Sequence, residues 1–258
     1  MTPPREPGQD SVRPGLRASL ATPDAKGRYV RRLFSTIADR YDLITVLLSC
    51  GLDQRWKRRL SALAQVEPGI KALDLACGTG DIAFALSANG ATTTALDITP
   101  RMLELAAAKQ SLANPPRWVA GDMMALPFAS ARFDLVTTGY GIRNVPILKT
   151  AIAEIHRVLK PGGLFLSLDF NRPGNALVRA VYLGYLTVVG SALGFVLHGD
   201  PDTYRYIPES IRNYPGAMRV ARMMEQLGFT DVRVVRVLGG LMAIHTASAP
   251  ATAPVLVR

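Results

Sequence analysis

The sequence predicts a doubly wound, mostly parallel α/β sheet of seven strands, and three observations predict it. Short apolar runs at 71–75, 92–96, 117–120, 133–138 and 164–170 alternate with helical stretches at 81–88, 100–109 and 147–159, the pattern of successive βα units. Leu73-Asp74-Leu75-Ala76-Cys77-Gly78-Thr79-Gly80-Asp81 passes from a buried strand through a glycine turn into a helix, the ligand-holding corner of such sheets. The 258 residues, 48% of them hydrophobic, suit one α/β domain that needs no staples.

The elements follow in order. Residues 1–27, rich in Pro, Gly, Ser and Arg and without apolar periodicity, are expected to form a disordered tail. It lacks the apolar core of a signal peptide, and Glu6, Asp10 and Asp24 argue against a transit peptide. A single domain over 28–248 begins with helices between Tyr29 and Gln65, where Asp53 can cap a helix carrying Trp56, Leu60 and Leu63. After the five βα strands the alternation breaks from Asn171 to Pro215. Within it, Ala176–Leu197 is apolar except for Arg179 and approaches the ~20 residues that cross a bilayer. A span would have to leave and rejoin one compact sheet, so the reading is a helical lid over an apolar pocket that touches membrane. The plain alternative is a buried helix pair. A helix at 216–227 precedes two strands, 229–238 and 241–247, that turn at Gly239-Gly240; 249–258 reads as a frayed tail.

The glycine turn carries the first functional inference. Gly78 and Gly80 allow positive φ and the close approach of a ligand, and Asp97, at the end of the second apolar run, can accept from both ribose hydroxyls. Gly78-Thr79-Gly80-Asp81-Ile82-Ala83 also fits a nicotinamide-binding turn. Asp74 and Asp81 weigh against that alternative, because carboxylates repel a pyrophosphate but attract a sulfonium and an α-amino group.

Composition narrows the partners. Thirty basic against twenty acidic residues give +10, which suits nucleic acid, an anionic lipid surface or a generally basic proteome. The basic residues are scattered, no stacking aromatics interleave with them and aromatics are only 7%, so nucleic acid is not expected. Cys50 and Cys77 have no metal-ligand spacing, which predicts a reduced, cytoplasmic protein without zinc. Peripheral contact with the inner face of the cell membrane, through the lid and the basic surface, is the expectation; homodimerisation stays open.

Asp74–Asp81 resembles motif I of class I S-adenosylmethionine (SAM)-dependent methyltransferases, whose sheet is Rossmann-like, and Asp97 resembles the acidic residue after their second strand. Gly121-Asp122-Met123, Phe133-Asp134-Leu135-Val136 and Leu159-Lys160-Pro161-Gly162-Gly163 fall where that fold places its adenine contact, fourth strand and turn into the fifth. The blocks Phe34–Asp42, Gly51-Leu52-Asp53 with Trp56-Lys57, Ala125–Phe128, Gly141–Val145, Tyr204–Arg212 and Gly239–His245 resemble the ubiquinone/menaquinone biosynthesis C-methyltransferases over about residues 29–247.

That resemblance implies SAM as cofactor, held by Asp74, Gly78, Thr79, Gly80, Asp97, Ile98, Asp122, Met123 and Gly139. It implies methylation of a ring carbon of a polyprenylated quinol such as demethylmenaquinol. Arg143 and Asn144 would sit at the quinol oxygens with Tyr41 over the same pocket, Arg143 stabilising the developing phenolate; Tyr204, Tyr206, Arg212 and His245 would bind substrate. Gly139 replaces a small hydroxyl residue frequent in relatives, Asp122-Met123 replaces an Asn-Ala or Asp-Ala pair, and the lid diverges most. Residue by residue, Tyr41 also suits helix packing, Arg143-Asn144 a strand-closing turn, Tyr204, Tyr206 and Arg212 a brace for the lid, and His245 a satisfied core histidine. Two other functions remain: a SAM methyltransferase for another lipid or phenolic compound, and a non-catalytic membrane-associated protein on the same fold.

Overall fold

The structure, a computed structural model, describes residues 16–109 and 112–251. Seven strands form one sheet in the order β3-β2-β1-β4-β5-β7-β6. They are β1 (Lys71–Leu75), β2 (Thr92–Asp97), β3 (Arg117–Ala120), β4 (Phe133–Gly139), β5 (Leu159–Phe170), β6 (Thr230–Val237) and β7 (Met242–Ser248). All neighbours pair in parallel except β7, which runs antiparallel to β5 and β6. The chain winds outward from β1 through β2 to β3, then returns to lay β4 on the other side of β1. Order therefore reverses between β1 and β4, where open α/β sheets hold their ligands.

Strand periodicity builds two cores. Leu73, Leu75 and Phe165 face one side, with Ile152 and Ile155 of α7 (Leu148–Val158) and Val220 of α10 (Ala217–Gln226). Leu166 and Leu168 face the other, with Trp56 and Leu60 of α4 (Asp53–Leu63) and Ile82 and Leu86 of α5 (Asp81–Ala88). Side chains alternate at period two, so a strand buried on both sides reads as a continuous apolar run. α6 (Pro100–Ala108) follows β2. The fifth strand begins at Leu159 rather than 164: Leu159 pairs with Phe133, and a register shift before Leu135 absorbs the turn at Gly162.

Three further expectations are corrected. Residues 16–27 are not a tail, because α1 covers Leu16–Ser19 and α2 covers Pro23–Ile37; the rest of the expected tail, 1–15, lies outside the described residues. Thr22 caps α2 by accepting from the Ala25 N–H at 3.2 Å, and Pro23 takes the helical position where no amide donor is needed. Asp53 does not cap α4; its carboxylate pairs with Lys57 one turn on, at 3.1 Å. At the other end Ala249 is buried and donates to the Gly163 carbonyl at 2.8 Å, while 252–258 lie outside the described residues.

The insertion is a helical hairpin, α8 (Ala176–His198) against α9 (Asp202–Asn213). Asn175 caps α8 with its side-chain oxygen, and Gly199 ends it at φ +66°. Gly190 and Gly194 let the helices meet closely: a Cβ there would come within 3.3 Å of Tyr204 and 2.6 Å of the Asp200 carbonyl. With α3 (Tyr41–Ser49), the hairpin stands over the carboxyl ends of the strands.

Candidate active site

Two cavities open at those strand ends. The smaller, about 320 Å³, lies beside the turns after β1, β2 and β4. Asp97 is nine-tenths buried there; its Oδ2 accepts the Gly78 N–H and its Oδ1 the Thr99 N–H, each at 2.8 Å. Both carboxylate oxygens keep a further lone pair for a ligand hydroxyl. Asp122 is fixed similarly, with Oδ1 on the Met124 N–H at 2.9 Å and Oδ2 paired to Arg31 of α2 at 3.2 Å. Ile98, Met123 and Gly139 complete this wall. Gly141 can be nothing larger, since a Cβ would lie 2.6 Å from both the Ala76 Cβ and the Thr138 hydroxyl.

Beside this cavity a small chamber holds Asp74. Its Oδ1 accepts the Thr137 hydroxyl at 2.8 Å, whereas its Oδ2 is buried without a hydrogen-bond partner. Burial pushes this carboxyl up to about 7, the Thr137 bond opposing. A half-satisfied buried carboxylate suits a cationic ligand group. Asp81 is already engaged: despite its burial, Lys57 at 2.7 Å holds it below the usual carboxylate range. Thr79 lines the chamber too, its hydroxyl turned to Asp42. Gly80 lines neither cavity; at φ +92° it makes room for the rings of Phe84 and Trp118.

The larger cavity, about 700 Å³, is overwhelmingly apolar and lies under α2, α3, α8 and α9. Arg143 is the one charged side chain among the described residues lining it. Its guanidinium lies 5.0 Å from the Phe170 ring centre and 3.6 Å from Asp169 Oδ1, and its Nε is buried without a partner. Asn144 donates to the Tyr140 carbonyl at 2.8 Å and accepts the Tyr206 hydroxyl at 2.9 Å. Tyr41, Tyr140 and Asn144 line both cavities and so mark their junction. Burial raises the Tyr41 and Tyr206 hydroxyls, which keeps them protonated donors at neutral pH.

Tyr204 is in the same wall, its hydroxyl 2.7 Å from the His198 ring. Two expected substrate residues lie outside both cavities. Arg212 is exposed and paired with Glu209 at 2.9 Å; His245 is buried in β7, with its Nε2 2.9 Å from the Ala217 carbonyl oxygen. Sequence reading missed Tyr140, Asp169 and Lys26. Tyr140 did carry a signal: it stands between Gly139 and Gly141 and takes φ +61°, costly for a tyrosine, so its neighbours must hold it there.

A polar cradle with an orphaned carboxylate, opening into an apolar chamber with one guanidinium, fits SAM on one side and an aromatic acceptor on the other. Residues 22–249 match the model of the ubiE/COQ5 methyltransferase family. The chain belongs to that family. It is 38% identical over 234 residues to a demethylmenaquinone methyltransferase of Mycolicibacterium gilvum, covering 91% of this chain and 99% of that one. It is 36% identical over 229 residues to one of Staphylococcus aureus, covering 88% and 95%.

Solved structures agree on the fold. A Thermotoga maritima SAM-dependent methyltransferase, described as a possible histamine N-methyltransferase, superposes with TM-score 0.63 at 16% identity, over 85% of this chain and 99% of that one. Phosphoethanolamine N-methyltransferase 2 of Haemonchus contortus, in complex with SAM, does so with 0.57 at 16%, over 76% and 52%. This member of the family is thus a SAM-dependent methyltransferase with a Rossmann-like sheet.

Proposed function

We propose that the protein methylates a ring carbon of a polyprenylated quinol, with demethylmenaquinol as the acceptor. The observation that carries this reading is the 700 Å³ apolar cavity whose lining offers one guanidinium, beside the junction with the cofactor cavity. SAM supplies an electrophilic methyl group on a positively charged sulfur. Asp97 and Asp122 would hold its ribose and adenine, and Asp74 would offset its cationic end. Arg143 takes the charge that develops on the quinol oxygen, so that the adjacent ring carbon becomes nucleophilic; Arg143 is too basic to take the hydroxyl proton itself, which passes to water, and after methyl transfer the ring C–H proton leaves to solvent as the ring regains aromaticity. Asn144, fixed by Tyr140 and Tyr206, orients the ring, and Tyr41 closes the junction against water.

The prenyl tail accounts for the exposed apolar residues around the cavity. Leu177, Val181 and Leu238 line the cavity yet are 74%, 65% and 48% exposed, and Val188 and Phe195 continue that exposed side of α8. α8 is long and apolar enough to cross a bilayer, but it packs on α9 and roofs the cavity. The reading is peripheral docking of this rim on the membrane that holds the substrate, with the +10 charge adding attraction to anionic lipid.

The deciding experiment offers labelled SAM with short-tail demethylmenaquinol and demethylated benzoquinol separately, under reducing conditions, and reads product masses. A ring-methylated naphthoquinol is the expected product. Methylation of the benzoquinol alone moves the enzyme to the other ring, and methylation of neither, with SAM binding intact, rejects a quinol acceptor.

A further inference from the structure

Asp169 stands one residue before the end of β5, is 1% exposed and lines neither cavity. Burial raises this carboxyl, and it stays an ion only because its partners, the Arg143 guanidinium first, offset that desolvation. Its partners are Arg143 and little else: Oδ2 accepts the Arg143 backbone N–H at 3.0 Å, Oδ1 lies 3.6 Å from the Arg143 guanidinium, and Oδ1 also accepts the Phe170 N–H at 2.8 Å. The carboxylate thus grips both the main chain and the head group of the residue that faces the acceptor oxygen. Lys26 of α2 completes the clasp, donating to the Arg143 and Val145 carbonyls at 3.0 and 2.7 Å.

We propose that Asp169 is the positioning residue that sets both the aim and the effective charge of Arg143 toward the bound phenol. The proposal rests on the reading of the large cavity as a phenol site. A lone guanidinium in an apolar chamber would stabilise a phenolate strongly, and an over-stabilised phenolate is a poor donor of its electron pair. A carboxylate behind the guanidinium tempers that charge, so the phenol ionises at a higher pH and its ring carbon remains nucleophilic. Asp169 also fixes the side from which Arg143 faces the cavity.

Other titratable groups face the pair from every side: Lys26 of α2, Tyr41 of α3, Tyr182 of α8, Tyr206 of α9, and Tyr140 and Tyr214 from turns. Burial holds all five tyrosines above their ordinary range, hence neutral. Lys26 is lowered to about 8, by burial and then by the Arg143 charge, so Lys26→Met serves as the control for its titration.

The test uses 2-prenyl-1-naphthol, a redox-inert phenol whose ionisation is read by absorbance, bound to the full-length protein with S-adenosylhomocysteine. In Asp169→Asn the bound naphthol should ionise roughly one to two pH units lower than in wild type. In Asp169→Glu, which keeps the charge, the midpoint should stay near wild type. Turnover should fall about tenfold in Asp169→Asn, with the KM for SAM within twofold. A midpoint unchanged in an Asp169→Asn protein that still binds probe and SAM overturns the proposal. If Asp169→Asn does not fold, Asp169→Glu decides it: a retained midpoint with several-fold lower kcat supports the proposal, and an unchanged kcat overturns it. Wild type that titrates the naphthol as expected yet methylates no quinol refutes the proposed acceptor and leaves the role of Asp169 standing.

Discussion

The two cavities are walled in different ways. The smaller one has its floor in the sheet turns, where the Gly78, Thr99 and Met124 N–H groups lock Asp97 and Asp122 and a Cβ at Gly139 or Gly141 would lie 2.6 Å from a neighbouring side chain, with α2 from Pro23 to Phe34 along one side. The larger cavity is built mostly from side chains of α2, α3, α8 and α9, with Arg143 as its one charged group and Asn144, the Cys50 thiol and the hydroxyls of tyrosines, threonines and Ser49 as its other polar features. On the proposed reading, the ligand common to many enzymes sits chiefly on turns at the sheet edge, which the fold supplies. A ligand particular to one reaction is held by helices laid over that edge, which can change without disturbing the sheet.

The sharpest way to break this division is to remove a charge from each side and ask whether the damage crosses the junction. Arg143→Gln should lower kcat by about 10²–10³-fold, as loss of a group aimed at developing charge does, while SAM affinity stays within twofold. It should also lower the melting temperature, because Asp169 is left buried without its counter-charge, a loss of ~3–5 kcal/mol. Kinetics well below the new melting temperature, with calorimetric SAM titration, separate the two effects. A large loss of SAM affinity would show that the cavities are not independent.

Asp97→Ala is the reciprocal cut. It removes the acceptor of two backbone N–H groups as well as the proposed ribose contact; a charge-assisted bond contributes ~1.5–3 kcal/mol, so loss of even one should weaken SAM binding roughly 10- to 150-fold. The dissociation constant of the naphthol probe should stay within twofold. A matching loss of probe affinity would mean that the turn after β1 also shapes the acceptor cavity through Tyr41, which lies 3.6 Å from the Cβ position of Gly78.

A smaller effect distinguishes the halves by pH. Burial raises Asp74 to about 7 from the ordinary 3.8, and on the proposed reading its ionised form would attract the cationic end of SAM. SAM affinity should therefore rise about tenfold as the pH goes from 6 to 8, with most of the gain near 7. Stability should move the other way. The folded state keeps this proton between about pH 4 and 7 while the unfolded chain has lost it, so Asp74 makes folding less favourable as pH rises through that window. Asp74→Asn should flatten both dependences, and isothermal titration and thermal melts at four pH values check them.

The same division explains what could be read from the sequence. Gly78, Asp97 and the succession of strands and helices were legible because they are local: a strand, a turn and a carboxylate lie close along the chain. Asp169 was not, because only the pairing of β4 with β5 brings it beneath Arg143, 26 residues away. Lys26 was hidden by punctuation. Pro23 and Gly27 look like loop residues, yet Pro23 is helix-compatible at its position and Gly27 is small because a Cβ would lie 3.3 Å from Pro146. The lid was recognised as apolar and helical, but composition could not say which of its faces lines a cavity.

The smallest effect belongs to that lid. Val181 is 65% exposed at the cavity rim, so Val181→Glu should change folding stability by less than about 0.5 kcal/mol. It places a charge where the prenyl tail would leave the ring cavity. Losing contact with one or two methylenes is worth ~0.8–1.6 kcal/mol, so the KM for a long-tail quinol should rise roughly four- to fifteen-fold. A single-isoprene analogue, too short on this reading to reach the rim, should be unaffected, and flotation with anionic liposomes should weaken. Equal effects on both substrates would mean that the rim shapes the ring site itself, and the separation between a fixed sheet edge and an adjustable helical roof would then fail at its outermost residue.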